Sequence, residues 1–185
     1  QSFTPDKSSL KNLFGDEFYK KFSTETVKAR DFVFACQRTV DPEMNSSFAH
    51  RMLVIKNASE IIAGEKSPAE LGVSAPDNNT LVFNLTEPCK NFLDRLTENE
   101  FMPCNQEFFA AMNGRYGIDA RHIICNGPFY VSSWDPENTM TCKVNKYYAG
   151  SQTVLPSSVI FAFPSSPNCA PTTTVFFIKI NSILY

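Results

Sequence analysis

Metal-binding cysteine spacing is absent from this chain. Its six cysteines, Cys36, Cys89, Cys104, Cys125, Cys142 and Cys169, stand singly with no CxxC among them, so no zinc-type site is written in the sequence. Histidine is scarce, with two residues, His50 and His122. No apolar run approaches the roughly 18 residues that cross a bilayer, which excludes a membrane-spanning helix. An excess of positive charge is also missing. The 17 Lys and Arg are scattered among 19 Asp and Glu, for a formal net charge of -2, and a chain without a basic face cannot neutralise a phosphate backbone. Nucleic acid is therefore not an expected partner. The start at Gln1 lacks the basic and apolar segments of a signal peptide, so the expectation is that any export signal is removed or was never there.

Apolar material is plentiful. Hydrophobic residues make up 43% and aromatics 13%, with 17 Phe in 185 residues, a globular composition able to bury a core. A chain of this length is one domain, or one domain and part of another. The cysteines read mainly as small buried hydrophobes.

Along the chain, Leu10, Leu13, Phe14 and Phe18 form a short helical pattern. Val27, Phe32, Val33, Ala35 and Cys36 suit one side of a helix over 27–38 that Asp41-Pro42 stops. A second helix is predicted over 47–63, burying Phe48, Met52, Ile55 and Ile62 and closing at Gly64. The segment LGVSAPDNNTLVFNLTEP reads as a hairpin with a Pro76-Asp77-Asn78-Asn79 turn and an apolar face of Leu81, Phe83 and Leu85. Phe92, Leu93 and Leu96 have helical spacing, and QEFFAAMNGRYG predicts a helix ended by Asn113-Gly114. A strand pair follows, 129–134 and 140–144, turning at Asp135-Pro136-Glu137-Asn138, with Trp134 as its core anchor. SSVIFAF is a further strand, and the apolar hexad VFFIKI near the end suits an edge strand.

Three segments carry a resemblance. ARDFVFACQRTVDP, then NASEIIAGEKSPAELGVSAPDNNTLVFNLTEP, then NGPFYVSSWDPENTMTCKVNKYYAG resemble, in order and spacing, the extracellular solute-binding proteins of family 5, the oligopeptide- and dipeptide-binding subunits of ABC importers. The resemblance runs over residues 27–163. It implies a mixed α/β (α+β) fold, a periplasmic-binding-protein-like fragment comprising a small helix-and-hairpin domain plus strands of a larger lobe. Residues 1–26 are then an amino-terminal segment, 27–125 the small second domain, 126–163 the return strands into the first lobe, and 164–185 a divergent tail. Gly127-Pro128 resembles the bend that starts the return crossing, and Tyr147-Tyr148 the aromatic pair that ends it.

By the same resemblance the function is capture of short peptides for an ABC importer, without catalysis, cofactor or metal. The partners are short peptides and the transporter's membrane subunits. The place is periplasmic or extracellular, held to the membrane by a lipid anchor missing from this chain. Family members are about three times as long and close two lobes on an extended peptide through main-chain hydrogen bonds. The one ligand-contact position that transfers is Phe48, which matches an aromatic after the Asp-Pro motif. There the family has Tyr within Pro-Tyr-Ala, while this chain has Ser47-Phe48-Ala49, which removes any hydroxyl contact. An alternative is a stand-alone structural or interaction module lacking transport.

Other residues admit a sharp and a plain reading. Asp119, His122 and Cys125 suit a nucleophile with its base or half a metal site, or else a histidine in a surface loop and a cysteine packed under a strand. Lacking a second pair, they favour the plain reading. As an apolar aromatic in a helix, Phe48 favours the core over a ligand contact. His50 reads as a helix-surface residue. Glu17, Asp31 and Glu87 read as solvated carboxylates, with Asp31 placed to support the first turn of its helix.

Overall fold

In the computed structural model, residues 15–148, 150, 156–162 and 175–180 are described, without the side chains of residues 19, 23, 24 and 175–180. They form mixed helices and sheets in two compact units, Val27–Ala111 and the remainder, residues 1–26 with 112–185.

The first unit is organised by one helix. Helix α2 (Ala29–Val40) follows α1 (Asp16–Thr24). It begins where the Asp31 carboxylate accepts the Lys28 N–H at 2.7 Å, a negative charge at the positive end of the helix dipole. Asp41-Pro42 ends it, as expected, since proline disfavours helical backbone in the residue before it. Around α2 gather Cys36, Val40, Met52, Ile55, Ala58, Ile61, Leu71, Val73 and Phe101 as one buried core. Cys36 lies so deep that burial pushes its thiol up to about 12.

The predicted helix over 47–63 is not continuous. A 3-10 turn at Ala49–Met52 and the short helix α3 (Ala58–Ile62) take its place. The cause lies between them: Lys56 N–H donates to Asn84 O at 2.9 Å and Thr86 N–H to Val54 O at 2.9 Å, and Ile55 bridges Leu85. These bonds to the hairpin outcompete a fourth helical turn, and Asn57 restarts the chain in the left-handed conformation at φ 69°. Met52 and Ile55 are buried as expected, whereas Ile62 is half-buried and Ala58 and Ile61 point inward instead.

Strands β1 (Val73–Ser74) and β2 (Val82–Phe83) pair antiparallel, Val73 opposite Phe83. The Asp77 carboxylate forms their turn by accepting Asn79 and Thr80 N–H at 2.7 and 2.8 Å, and Asn78 O takes the Ala29 N–H at the start of α2. Leu81, Phe83 and Leu85 pack on the core as the alternation predicts. Gly72 makes the close approach: its N–H donates to Lys56 O and its carbonyl accepts from Asn84 N–H. A Cβ there would stand 2.8 Å from Asn84 O. Helix α4 (Phe92–Arg95) turns Phe92 toward Phe83 and Phe101, but Leu93 is 77% exposed rather than on a common apolar face, because four residues cannot present a stripe. Helix α5 (Gln106–Ala111) follows, and Asn113 and Gly114 turn the chain with φ of 48° and 80°.

The second unit contains a four-stranded antiparallel meander in the order β3-β4-β5-β6. Its strands are β3 (Phe129–Asp135), β4 (Thr139–Val144), β5 (Pro156–Ala162) and β6 (Val175–Ile180). Trp134 faces Met140 and is half-buried. Asn145, fully buried, ties the Gly127-Pro128 bend to the end of β4: its Nδ2 donates to Gly127 O at 2.9 Å and its N–H to Pro128 O at 2.8 Å. VFFIKI forms the edge strand expected of it. Phe22 in α1 is buried against Phe18, with ring centroids 4.7 Å apart; Leu10, Leu13 and Phe14 lie outside the described residues.

Candidate ligand-contact surface

The chain between α2 and α3 is a series of tight turns. Asp41 accepts the Glu43 N–H at 3.0 Å, Asn45 is left-handed, and Ser46 Oγ accepts the Phe48 N–H at 3.3 Å. In a continuous helix Phe48 would share a face with Met52. Here the turns send Met52 into the core and leave Phe48 47% exposed, which corrects the reading of Phe48 as core.

Phe48 does not stand alone. The Arg51 guanidinium lies over its ring, 5.2 Å from the centroid. Arg51 Nη1 also donates to Glu98 at 2.8 Å and to Glu100 at 3.0 Å. The Glu100 side chain is 2% exposed. Burial pushes its carboxyl up, but hydrogen bonding, including that from its own backbone N–H and from Arg51, outweighs this and holds it below the ordinary carboxylate range. The two glutamates in turn raise Arg51 above its usual value, Glu100 most. An aromatic face is thus fixed beside an ion-pair network.

An open cavity of about 430 Å3 is lined by Arg51 and Glu98 of the network, and a second of about 490 Å3 shares His50, Asn91 and Arg95 with it. His50 is exposed, as expected, with Nδ1 3.0 Å from Ser47 O. Glu87 lines the larger cavity. Chemically the surface offers ring stacking, a cation and carboxylates, which are recognition groups; nothing in it activates a nucleophile. Sequence reasoning reached Phe48 but missed Arg51, Glu98 and Glu100, because residues 47 and 49 positions apart meet only through the fold.

Asp119 and His122 do come together, in the other unit. His122 is 5% exposed, which corrects its placement in a surface loop. An ionised carboxylate only accepts, so His122 Nδ1 carries the proton and donates to Asp119 at 2.8 Å. Asp119 also accepts the Arg121 N–H and Arg121 Nη2 at 2.7 and 3.0 Å. Burial raises the Asp119 carboxyl, yet the bonds from Arg121 and His122 prevail and set it at about 2. Cys125 is no activated partner for this pair: burial pushes its thiol up, against a lowering hydrogen bond from Val131 N–H, the reverse of a catalytic cysteine. Asp31 is buried at its helix start and Glu17 is exposed.

The comparisons with known proteins agree with one another. A dipeptide-binding protein of Lactococcus lactis is 28% identical over 148 residues, 78% of this chain and 27% of that protein. A probable deoxycholate-binding periplasmic protein of Escherichia coli is 31% identical over 145 residues, 77% of this chain and 27% of its own length. The crystal structure of the substrate-binding domain of an oligopeptide ABC transporter from Bacillus anthracis superposes with a TM-score of 0.73 at 33% identity, over 75% of this chain and 27% of that one. The chain spans about a quarter of the length of these relatives, and the fold they share is that of periplasmic binding proteins. The profile of the bacterial extracellular solute-binding proteins, family 5, middle region, matches residues 21–170, and the chain belongs to that family.

Proposed function

We propose that the protein of which this chain forms the family's middle region captures short peptides outside the cytoplasmic membrane and delivers them to an ABC importer. It acts by binding, without catalysis. Its partners are the peptide and the importer's membrane subunits, and a lipid anchor holds it at the membrane. Within this arrangement residues 27–125 form the small second domain, 126–163 return to the first lobe, and Phe48 contributes an aromatic contact to the bound chain. The family match over residues 21–170 carries the reading. The exposure of Phe48 supports its part in it, since a ligand contact requires an accessible face.

Isothermal titration of the 185-residue chain with a pool of short peptides tests the local site, with deoxycholate as the competing ligand class. The expected result is peptide binding that Phe48→Ala weakens about tenfold, the loss of one aromatic contact of about 1.4 kcal/mol, and that Phe48→Tyr retains. A folded chain, by circular dichroism, that binds no peptide assigns no contact to Phe48. Preference for deoxycholate overturns the peptide reading.

A further inference from the structure

The sequence holds two Asn-Gly pairs, Asn113-Gly114 and Asn126-Gly127, and neither belongs to the ligand-contact surface. Such a pair carries latent chemistry. The backbone nitrogen that follows an asparagine can attack its side-chain carbonyl carbon, and glycine, having no Cβ, leaves that approach unobstructed. The fold treats the two pairs differently.

Asn113 and Gly114 are the central residues of a turn after α5, closed by Arg115 N–H donating to Met112 O at 3.0 Å. Both have positive φ, 48° and 80°, the signs of a type I′ turn, whose one hydrogen bond joins its outer residues and leaves the central N–H groups aside. Accordingly, neither the Gly114 N–H nor the Asn113 side chain has a hydrogen-bond partner among the described residues. Residues 113–115 are exposed, and a Cβ placed on Gly114 would meet nothing within 4 Å, so water has open access. The other pair is held. Asn126 is half-buried, and the Gly127 carbonyl accepts Nδ2 of the fully buried Asn145 at 2.9 Å. Rotation of the backbone there breaks an internal bond.

We propose that Asn113 is a deamidation site, converting through a cyclic imide to aspartate and isoaspartate, while the fold protects Asn126. The Gly114 nitrogen, having lost its proton, attacks Cγ of Asn113; a new C–N bond forms, the Cγ–Nδ2 bond breaks, and the amide nitrogen leaves as ammonia with that proton. Water then opens the imide at either carbonyl. Attack at Cγ restores the main chain and leaves aspartate, whereas attack at the main-chain carbonyl leaves isoaspartate. One water is consumed and one ammonia released, with nothing oxidised or reduced. To align nitrogen and carbon the turn must open, and an exposed turn closed by a single hydrogen bond opens at far lower cost than global unfolding. Each conversion replaces a neutral amide by a carboxylate, taking the formal net charge from -2 to -3.

Incubating the unsubstituted folded chain at mildly alkaline pH, with peptide mapping by mass spectrometry over time, reads both pairs in one sample. Asn113 should convert severalfold faster than Asn126, with isoaspartate among its products and a more acidic species on isoelectric focusing. The rate should rise with pH, because the attacking nitrogen must first lose its proton. In urea the two rates should converge. Conversion of Asn126 as fast as Asn113 in the folded chain would overturn the proposal, as would an intact Asn113 over a period in which the urea-denatured chain converts. A lead for Asn113 that persists undiminished in urea would also overturn it, since the difference would then lie in neighbouring residues and not in the fold.

Discussion

At Gly72 three backbone segments meet, and a single hydrogen is all the space allows. Alanine there would put Cβ 2.8 Å from Asn84 O and 2.9 Å from Lys56 Cβ, both below any ordinary contact. Neither neighbour can yield, because the same residues hold the hydrogen bonds that divert residues 53–56 from helix to hairpin. Gly72→Ala should therefore lower stability by about 1–3 kcal/mol, measured as a lower urea midpoint at unchanged m-value. An unshifted midpoint would show that the hairpin can move away. Phe48 is the opposite case: removing its ring should weaken binding while leaving stability nearly unchanged, because the ring is half exposed.

Among the elements, α3 shows how a short helix depends on its packing. Five residues are too few to be helical by propensity alone, so the burial of Ala58 and Ile61 in the core holds it. Ile61→Ala should cost about 2–5 kcal/mol, and amide exchange across Ala58–Ile62 should rise by the same free energy. Unchanged exchange would place its stability in the Asn57 and Glu70 backbone tie instead. Helix α2 was legible in the sequence because its apolar spacing, Asp31 start and Asp-Pro stop all concern neighbours within a turn or two. The hairpin was legible for the same reason. The break at residues 53–57 was not, because its cause is hydrogen bonding to Asn84 and Thr86, about thirty positions away, and the apolar spacing across 47–63 fits a helix equally well.

For the whole molecule, acid is the informative variable. Asp119 falls from an ordinary 3.8 to about 2 in the folded chain, and Glu100 lies below its ordinary 4.5. A carboxyl lowered by folding contributes its full stabilisation above its unfolded value and loses it as pH falls through the folded one. Stability should therefore be level from neutral pH down to about pH 5 as far as these groups are concerned, then decline toward pH 2. Asp119→Asn should cost about 1 kcal/mol at pH 7, allowing for solvent screening, progressively less as pH falls below about 4, and nothing once pH is well below the folded value of about 2, as measured by urea unfolding across the range. A cost independent of pH would mean that packing, and not charge, ties Asp119 to His122 and Arg121.

The sequence by itself determined the mixed fold, the β1–β2 hairpin, the β3–β4 strand pair and the family, because those depend on period, turn residues and motif order, all local along the chain, whereas the pairing of β5 and β6 onto that pair came from the folded chain. Tertiary structure alone decided that Phe48 faces outward with Arg51 across its ring, that Glu100 is buried yet ionised, and that His122 is enclosed beside Asp119. Each of those outcomes depends on groups distant in sequence or on the path of the backbone between turns, and only the folded chain brings their charges and surfaces within range.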